Sequence, residues 1–316
     1  SKSCMKKVSI VIPAFNEASN IGKLYSELFR TLSLLPNYQF EIIFVDDGSS
    51  DLTLKAITDL ASTDPRVFYI ELSRNFGHQA ALKAGLDVAD GDCVITMDSD
   101  LQHPPEMIVE MIEAWESGFD IVFTKRIEDN QLPLFKRMTS KLYYFIYNRL
   151  SDVKLETGAA DFRLMGRNAR EAFSNFTERD LFIRGLVTWS GFWQKAISYV
   201  ANERYSGKTK YSVYKMISLA LKGITSFSTR PLKLIAYIGI FFFLISLVLV
   251  PYVLISYLYG HTTEGWTSLI TTVFFFGSLQ LLMLGIISVY LGKIVIESKN
   301  RPLYFIRNSS YPPKIK

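Results

Sequence analysis

From Leu234 to Leu258 the chain runs 25 residues without a charge, and from Trp266 to Leu291 it runs 26 more. Roughly 20 apolar residues in a helix cross the hydrocarbon core of a bilayer, so each run is long enough to span one. A core helix of a water-soluble domain is shorter and keeps a polar face. Residues 232–298 are therefore expected to form a two-helix transmembrane hairpin. Both runs lie toward the C-terminal end, which is not the position of a signal peptide. The link from Tyr257 to Thr267 holds no Lys or Arg. Lys215, Lys222, Arg230 and Lys233 precede the first run, and Lys293, Lys299, Arg301 and Arg307 follow the second. The positive-inside rule then places both termini and residues 5–209 in the cytoplasm of an integral membrane protein. The net charge of +5 has the same reading: basic charge beside membrane spans meets anionic lipid, so a bilayer rather than nucleic acid is the expected partner. Only Cys4 and Cys93 could form a disulfide, and Cys93 sits in an apolar run, so an inert reduced thiol is expected.

The first 200 residues have ordinary charge density and alternate between two patterns. Short apolar runs at 8–13, 41–45, 67–72, 93–97 and 120–124 predict buried strands. Helical periodicity fills 18–34, 51–62, 77–89 and 104–117, with Ser19, Ser50 or Asp51, and Pro104 as start residues. This order implies an α/β fold with a mostly parallel sheet flanked by helices, and a site at the C-terminal ends of its strands. Residues 131–149 and 211–228 mix basic and apolar side chains at helical spacing. They are expected as amphipathic helices in the membrane interface, the second within a juxtamembrane segment 210–231. Residues 299–316 are expected as a cytoplasmic tail with no assigned role.

Three strand ends turn polar in the same way: Pro13–Ala14–Phe15–Asn16–Glu17, Asp46–Asp47–Gly48–Ser49–Ser50–Asp51, and Asp98–Ser99–Asp100–Leu101–Gln102. Residues i and i+2 of a strand share a side, so Asp98 and Asp100 would project together. Paired carboxylates repel, and a hard divalent cation that completes its shell with phosphate oxygens relieves the repulsion. An acidic turn after a buried strand would look the same. No G-x-G-x-x-G follows the first strand and no P-loop occurs anywhere, which disfavours a Rossmann dinucleotide site and a Walker-type NTPase.

These segments resemble the family 2 glycosyltransferases of GT-A fold. The closest likeness is to polyprenyl-phosphate hexosyltransferases, including dolichol-phosphate mannose synthases and bacterial bactoprenol glucosyltransferases. Leu72–Ser73–Arg74–Asn75–Phe76–Gly77–His78 and Gly158–Ala159–Ala160–Asp161–Phe162–Arg163–Leu164 point to the bacterial branch. The resemblance implies that Pro13, Phe15 and Glu17 line a base and ribose pocket, with Asp46 and Asp47 contacting base or ribose. Asp98 and Asp100 would border the donor phosphates, and Asp98, Asp100 and Gln102 would hold Mg²⁺ or Mn²⁺. Arg126, Arg137 and Ser140 would bind the lipid phosphate, with Arg204, Lys208 and Lys210 as a second basic group. Asp161 and Arg163 would join Asp100 in catalysis. Family habit makes Asp161 the base, but a phosphomonoester with a second pKa near 6 is already ionised, so Asp161 could instead hold a sugar hydroxyl or orient Arg163.

The implied reaction is inverting transfer of a hexose, glucose from UDP-glucose by branch resemblance, to undecaprenyl phosphate. GDP-mannose, UDP-galactose and a modified UDP-pentose stay open as donors, and a homo-oligomer stays open as the assembly. A processive polysaccharide synthase is disfavoured because no Q-x-x-R-W signature occurs around Arg184–Trp189. A membrane-tethered nucleotide-sugar sensor is the reading of another class. It would bind donor without turnover.

Overall fold

Alternation along single strands decides which helices cover which face. In a computed structural model, which describes residues 5–126, 159–178, 183–200, 228–259 and 265–312, strand β1 (Lys6–Ala14) is buried from Val8 onward. Val8, Ile10, Ile12 and Ala14 enter one apolar cluster and Val11 the other, as a period of two requires. β2 (Tyr38–Asp46) divides likewise, with Ile42 and Phe44 on the first side and Ile43 and Val45 on the second. The first cluster is closed by α1 (Ala18–Leu32), α2 (Thr53–Thr63) and α4 (Met107–Glu116). The second is closed by α3 (His78–Val88), α5 (Arg167–Ser174) and α6 (Ile183–Trp189). A strand buried on both faces reads as an unbroken apolar run, which is why these strands are legible in sequence.

β3 (Val67–Leu72), β4 (Cys93–Thr96), β5 (Ile121–Arg126), β6 (Ala159–Gly166), β7 (Gln194–Tyr199) and β8 (Ile306–Ser309) complete an eight-stranded sheet. Its order is β7-β5-β6-β4-β1-β2-β3-β8. Six strands point one way, and β6 and β8 run against them. The chain winds from β1 through β2 to β3 on one side and then crosses to β4 on the other. The crevice outside the C-terminal ends of β1 and β4 is thus a topological switch point, where open α/β sheets bind ligands. This is the expected α/β, mostly parallel sheet flanked by helices. The expected helix starts need correction: α1, α2 and α4 have Glu17, Leu52 and Glu106 at their caps, none capping through its side chain. Asp51 still accepts from the Thr53 N–H at 2.9 Å.

Both uncharged runs form helices, α7 (Arg230–Leu258) and α8 (Trp266–Ser298). Among the described residues one segment, Phe275–Ser298, is long and apolar enough to cross a membrane, with mean hydropathy 2.1 and none of it buried. The expectation of two spans is corrected to this one candidate. Many side chains of α7 lie outside the described residues, as do the expected interfacial helices at 131–149 and 211–228, the latter up to residue 227.

The expected tail at 299–316 is not separate from the domain. Beyond α8 the chain returns as β8 on the edge of β3, and Tyr311 packs into the second cluster. Its hydroxyl lies 3.1 Å from both oxygens of buried Glu41 and 3.0 Å from Asp90, and Lys7 and Ser9 complete the partners of Glu41.

One close approach fixes how α3 sits on the sheet. A Cβ at Gly85 would fall 2.2 Å from Cγ1 of Val11 and 3.2 Å from Cγ2 of Val45. Val11 is fully buried and stiff at χ1, so it cannot turn aside. Gly85→Ala is expected to destabilise the protein by about 1–3 kcal/mol through overpacking. Thermal unfolding in detergent measures the loss, and adding Val11→Ala should recover part of it.

Candidate active site

The switch-point crevice is a cavity of about 560 Å³. Pro13, Phe15 and Glu17 form the wall that continues β1, Asp98, Ser99 and Asp100 the wall that continues β4, and Asp161 and Arg184 its end. Asp47 and the Asn75–His78 segment close the remaining side.

The loops are pinned by short-range bonds. Asn16 takes the left-handed conformation (φ 55°), which Asn tolerates. Its N–H donates to Ser49 Oγ at 3.0 Å, and its side-chain oxygen accepts from the Ser50 N–H at 2.9 Å. Glu17 N–H donates to Thr53 Oγ1 at 2.8 Å. The β1 and β2 exits thus hold each other. Gly48 (φ +69°) packs so closely on the next loop that a Cβ would lie 2.5 Å from the carbonyl carbon of Arg74. Asp47 receives the Phe76 and Gly77 N–H groups at 2.7 and 3.0 Å. Burial pushes the Asp47 carboxyl up, and those two donors oppose the shift. Asp46 is also buried and also raised by burial. It accepts from the Ser49 N–H at 3.2 Å, lies behind the cavity wall, and keeps Oδ1 without a hydrogen bond.

At the β4 exit, Leu101 adopts φ 62° although it has a branched side chain. That strained turn buries Leu101 in the core and aims the Gln102 N–H at Asp100 Oδ1, 3.1 Å away. Asp98 lies beside two imidazoles. Its N–H donates to His103 Nδ1 at 3.2 Å, so in the neutral ring the proton is on Nε2, which lies 3.8 Å from Asp98 Oδ2. His103 is buried against Phe162, with ring centroids 5.1 Å apart. His78 Nε2 lies 3.3 Å from Asp98 Oδ1 and 3.9 Å from Asp161 Oδ2.

Asp161 reaches the site because β6 is antiparallel. Thr96 pairs with Arg163, so the start of β6 lies beside the end of β4. Thr96 Oγ1 donates to the Asp161 carbonyl at 2.6 Å. Arg184 forks onto the Asp161 carboxylate, Nε to Oδ1 and Nη2 to Oδ2, each at 3.0 Å. Arg163 Nη2 donates to Oδ1, also at 3.0 Å. Burial alone would raise the Asp161 carboxyl, but the charge and fork of Arg184, then Arg163, hold it well below the ordinary carboxylate range. A base must accept a proton, and this carboxylate is fixed as an anion by two guanidiniums.

Arg126 is exposed at the end of β5. Arg137, Ser140, Arg204, Lys208 and Lys210 lie outside the described residues. Arg184 and His103 were not singled out from the sequence. Their roles arise from partners 23 and 5 positions away, and no local motif marks either.

Among the described residues five carboxylates line the cavity: Glu17, Asp47, Asp98, Asp100 and Asp161. A diphosphate entering beside them needs added positive charge. Among the described residues no three His, Cys, Asp or Glu side chains gather as a complete metal cage. Asp98 and Asp100 alone fit Mg²⁺-like binding, in which one or two carboxylates leave the other positions to water and phosphate.

Residues 9–173 match glycosyl transferase family 2. The bactoprenol glucosyl transferase of Shigella phage SfV is 42% identical over 303 residues, 96% of this chain and 98% of that protein. The chain belongs to glycosyl transferase family 2. The uncharacterized glycosyltransferase YkcC of Bacillus subtilis (strain 168) is 40% identical over 302 residues, 95% of this glycosyltransferase and 93% of that protein. Among solved structures, the mannosyltransferase PcManGT from Pyrobaculum calidifontis, in complex with GDP-Man and Mn²⁺, has a TM-score of 0.51 at 16% identity. It covers 94% of this chain and 88% of that one, and the likeness is one of fold, GT-A-like in both.

Asp161→Asn in this glycosyltransferase leaves Arg163, 2% exposed, without a full counter-charge. Breaking a buried pair costs about 3–5 kcal/mol, so thermal stability should fall together with activity. Asp161→Leu combined with Arg163→Met should regain stability and stay inactive. Differential scanning fluorimetry beside a turnover assay separates the two effects.

Proposed function

We propose that this glycosyltransferase moves glucose from UDP-glucose to a polyprenyl phosphate, undecaprenyl phosphate in bacteria, at the cytoplasmic face of the membrane. The observation that carries the reading is 42% identity to a bactoprenol glucosyl transferase across nearly the full length of both chains. The apolar helix Phe275–Ser298 suits an acceptor whose tail stays in lipid, and basic residues outside the apolar runs support a cytoplasmic domain. Pro13, Phe15, Glu17 and Asp47 are the candidate base and ribose wall, with buried Asp46 supporting it. The lipid phosphate falls to Arg126 and, beyond the described residues, to Arg137, Ser140, Arg204, Lys208 and Lys210. Self-association through the apolar helix belongs to the same reading.

The chemistry follows from the charges. An oxygen of the lipid phosphate attacks the anomeric carbon, the bond from that carbon to the diphosphate oxygen breaks, and UDP leaves with the electron pair. The configuration inverts. The acceptor dianion brings its own nucleophile, so positioning and charge neutralisation do the work. Asp98 and Asp100, with Gln102 nearby, are the residues that would hold Mg²⁺ or Mn²⁺, which when bound offsets the charge of the departing diphosphate. Arg184 is half exposed toward the cavity while anchored on Asp161. Its guanidinium is thereby placed for phosphate oxygens.

The deciding assay gives the purified protein undecaprenyl phosphate, a divalent cation, and UDP-glucose or GDP-mannose in parallel, with mass spectrometry of the lipid. Glucosylated lipid, lost with chelator and in Asp100→Ala, supports the reading. Mannosylated lipid alone replaces the donor, and bound nucleotide sugar without product favours the sensor. The pH profile is a second check. Asp161 is ionised throughout the working range, so kcat/KM should fall only as the acceptor phosphate protonates, below a pH of about 6. A limb in that range that moves with the Asp161 environment, as in Arg184→Lys, would restore Asp161 as the base. His103→Phe should keep the stack on Phe162 but lose the acceptor for the Asp98 N–H. Mn²⁺ affinity, read by titration calorimetry, is expected to drop about 10-fold or more.

A further inference from the structure

The C-terminal strand does more than close the sheet edge, because it grips the loop that walls the cavity. Ser73 follows β3 and begins the turn to α3. Its N–H donates to the Phe305 carbonyl at 2.8 Å, and its own carbonyl accepts from Arg307 Nη2 at 2.8 Å. Arg307 Nη1 also reaches Glu71 at 3.1 Å. The β3–β8 ladder shifts register between Glu71 and Leu72, so regular pairing ends where these bonds begin. The Phe305 ring sits 6.2 Å from the Phe76 ring, and the Arg74 guanidinium lies 4.7 Å from the centre of Phe76.

From the other side the same loop is held by the site itself. The Phe76 and Gly77 N–H groups end on Asp47, and His78, the first residue of α3, faces Asp98. Asn75, Gly77 and His78 line the cavity. Residues 73–78 are thus clamped between Asp47 and β8. Seven residues, 299–305, join the end of α8 to β8. Tyr304 in that link donates to Asp87 of α3 at 2.9 Å. The apolar helix and the cavity wall are therefore joined by a short, bonded strap.

We infer that Arg307 and Phe305 are positioning residues of the donor site: β8, tethered to the apolar helix α8, holds Ser73–His78 in the conformation that receives the nucleotide sugar. The inference rests on the reading of this cavity as the donor site. The exposed Arg307–Glu71 pair contributes little by itself. The grip on the Ser73 backbone is what sets the loop.

The test uses the full-length protein in detergent, with UDP-glucose and GDP-mannose each titrated against wild type, Arg307→Ala, Arg307→Lys, Phe305→Ala and Asn308→Ala. Asn308 is on the same strand but bonds to Tyr69 instead of the loop. Lipid-product formation and thermal stability are separate readouts. Affinity for the bound nucleotide sugar is expected to fall roughly 2- to 30-fold in Arg307→Ala and Phe305→Ala. Arg307→Lys should recover part of it and Asn308→Ala should match wild type. The KM for the lipid acceptor should not change. Unchanged donor affinity in a folded Arg307→Ala protein overturns the inference. So does an equal loss in Asn308→Ala at equal thermal stability, which would mark the strand as structural only. Absence of lipid product from wild type with donor binding intact defeats the proposed acceptor and leaves this inference standing on the binding data.

Discussion

Like charge gathered at one sheet edge is the constraint that organises this molecule. Among the described residues five carboxylates line a cavity of about 560 Å³, and Glu17 is held there by the Asn20 side-chain amide. Asp47 is held by two backbone N–H groups and Asp161 by two guanidiniums, and Asp98 lies beside two imidazoles. Asp100 accepts from a backbone N–H in a turn that needs an unusual conformation at Leu101. Burial works against the Asp47 and Asp161 anions. The arrangement persists because donors are built into the scaffold, and under the proposed function the remaining negative charge suits a divalent cation beside the donor diphosphate.

The same constraint explains the division of labour around Asp161. A carboxylate that serves as a base must exchange protons near neutral pH. One clamped by a fork and a second arginine has surrendered that capacity and gained another. It fixes two guanidiniums, one buried behind the wall and one at the cavity's end. The acceptor of the proposed function, which arrives as a dianion, suits this exchange, since it needs cations around it and no proton removed.

Five strands and four helices of the sheet region were legible because strands buried on both faces are apolar throughout and their covering helices keep strict periodicity. β6 was not, because Asp161 and Arg163 interrupt its apolar run, and those are the residues the site requires. β8 was not, because Ile306–Ser309 is an exposed edge strand with no inward apolar face. In the site, Asp98, Asp100 and Asp161 were visible as motif residues. Arg184 and His103 were not, since long-range packing alone brings Arg184 to Asp161 and an ordinary buried imidazole would look like His103.

The apolar helix constrains more than location. β8 follows it within seven residues and forms the last strand of the sheet, so the sheet cannot complete its edge without chain that has passed through α8. Tyr311 extends the dependence to the far end of the sheet, where its hydroxyl is shared between Glu41 and Asp90. Burial pushes that phenol up, so it stays a neutral donor to both carboxylates at neutral pH. Without it two anions would face each other beside Lys7 with less relief. The segment after the apolar helix therefore closes the sheet at both ends of its edge: Ser73 toward the cavity and Glu41 away from it. Under the proposed function an enzyme whose acceptor is embedded in lipid gains from such a join, because the apolar helix that would set its height in the membrane is strapped to the wall of the cavity proposed to take the donor.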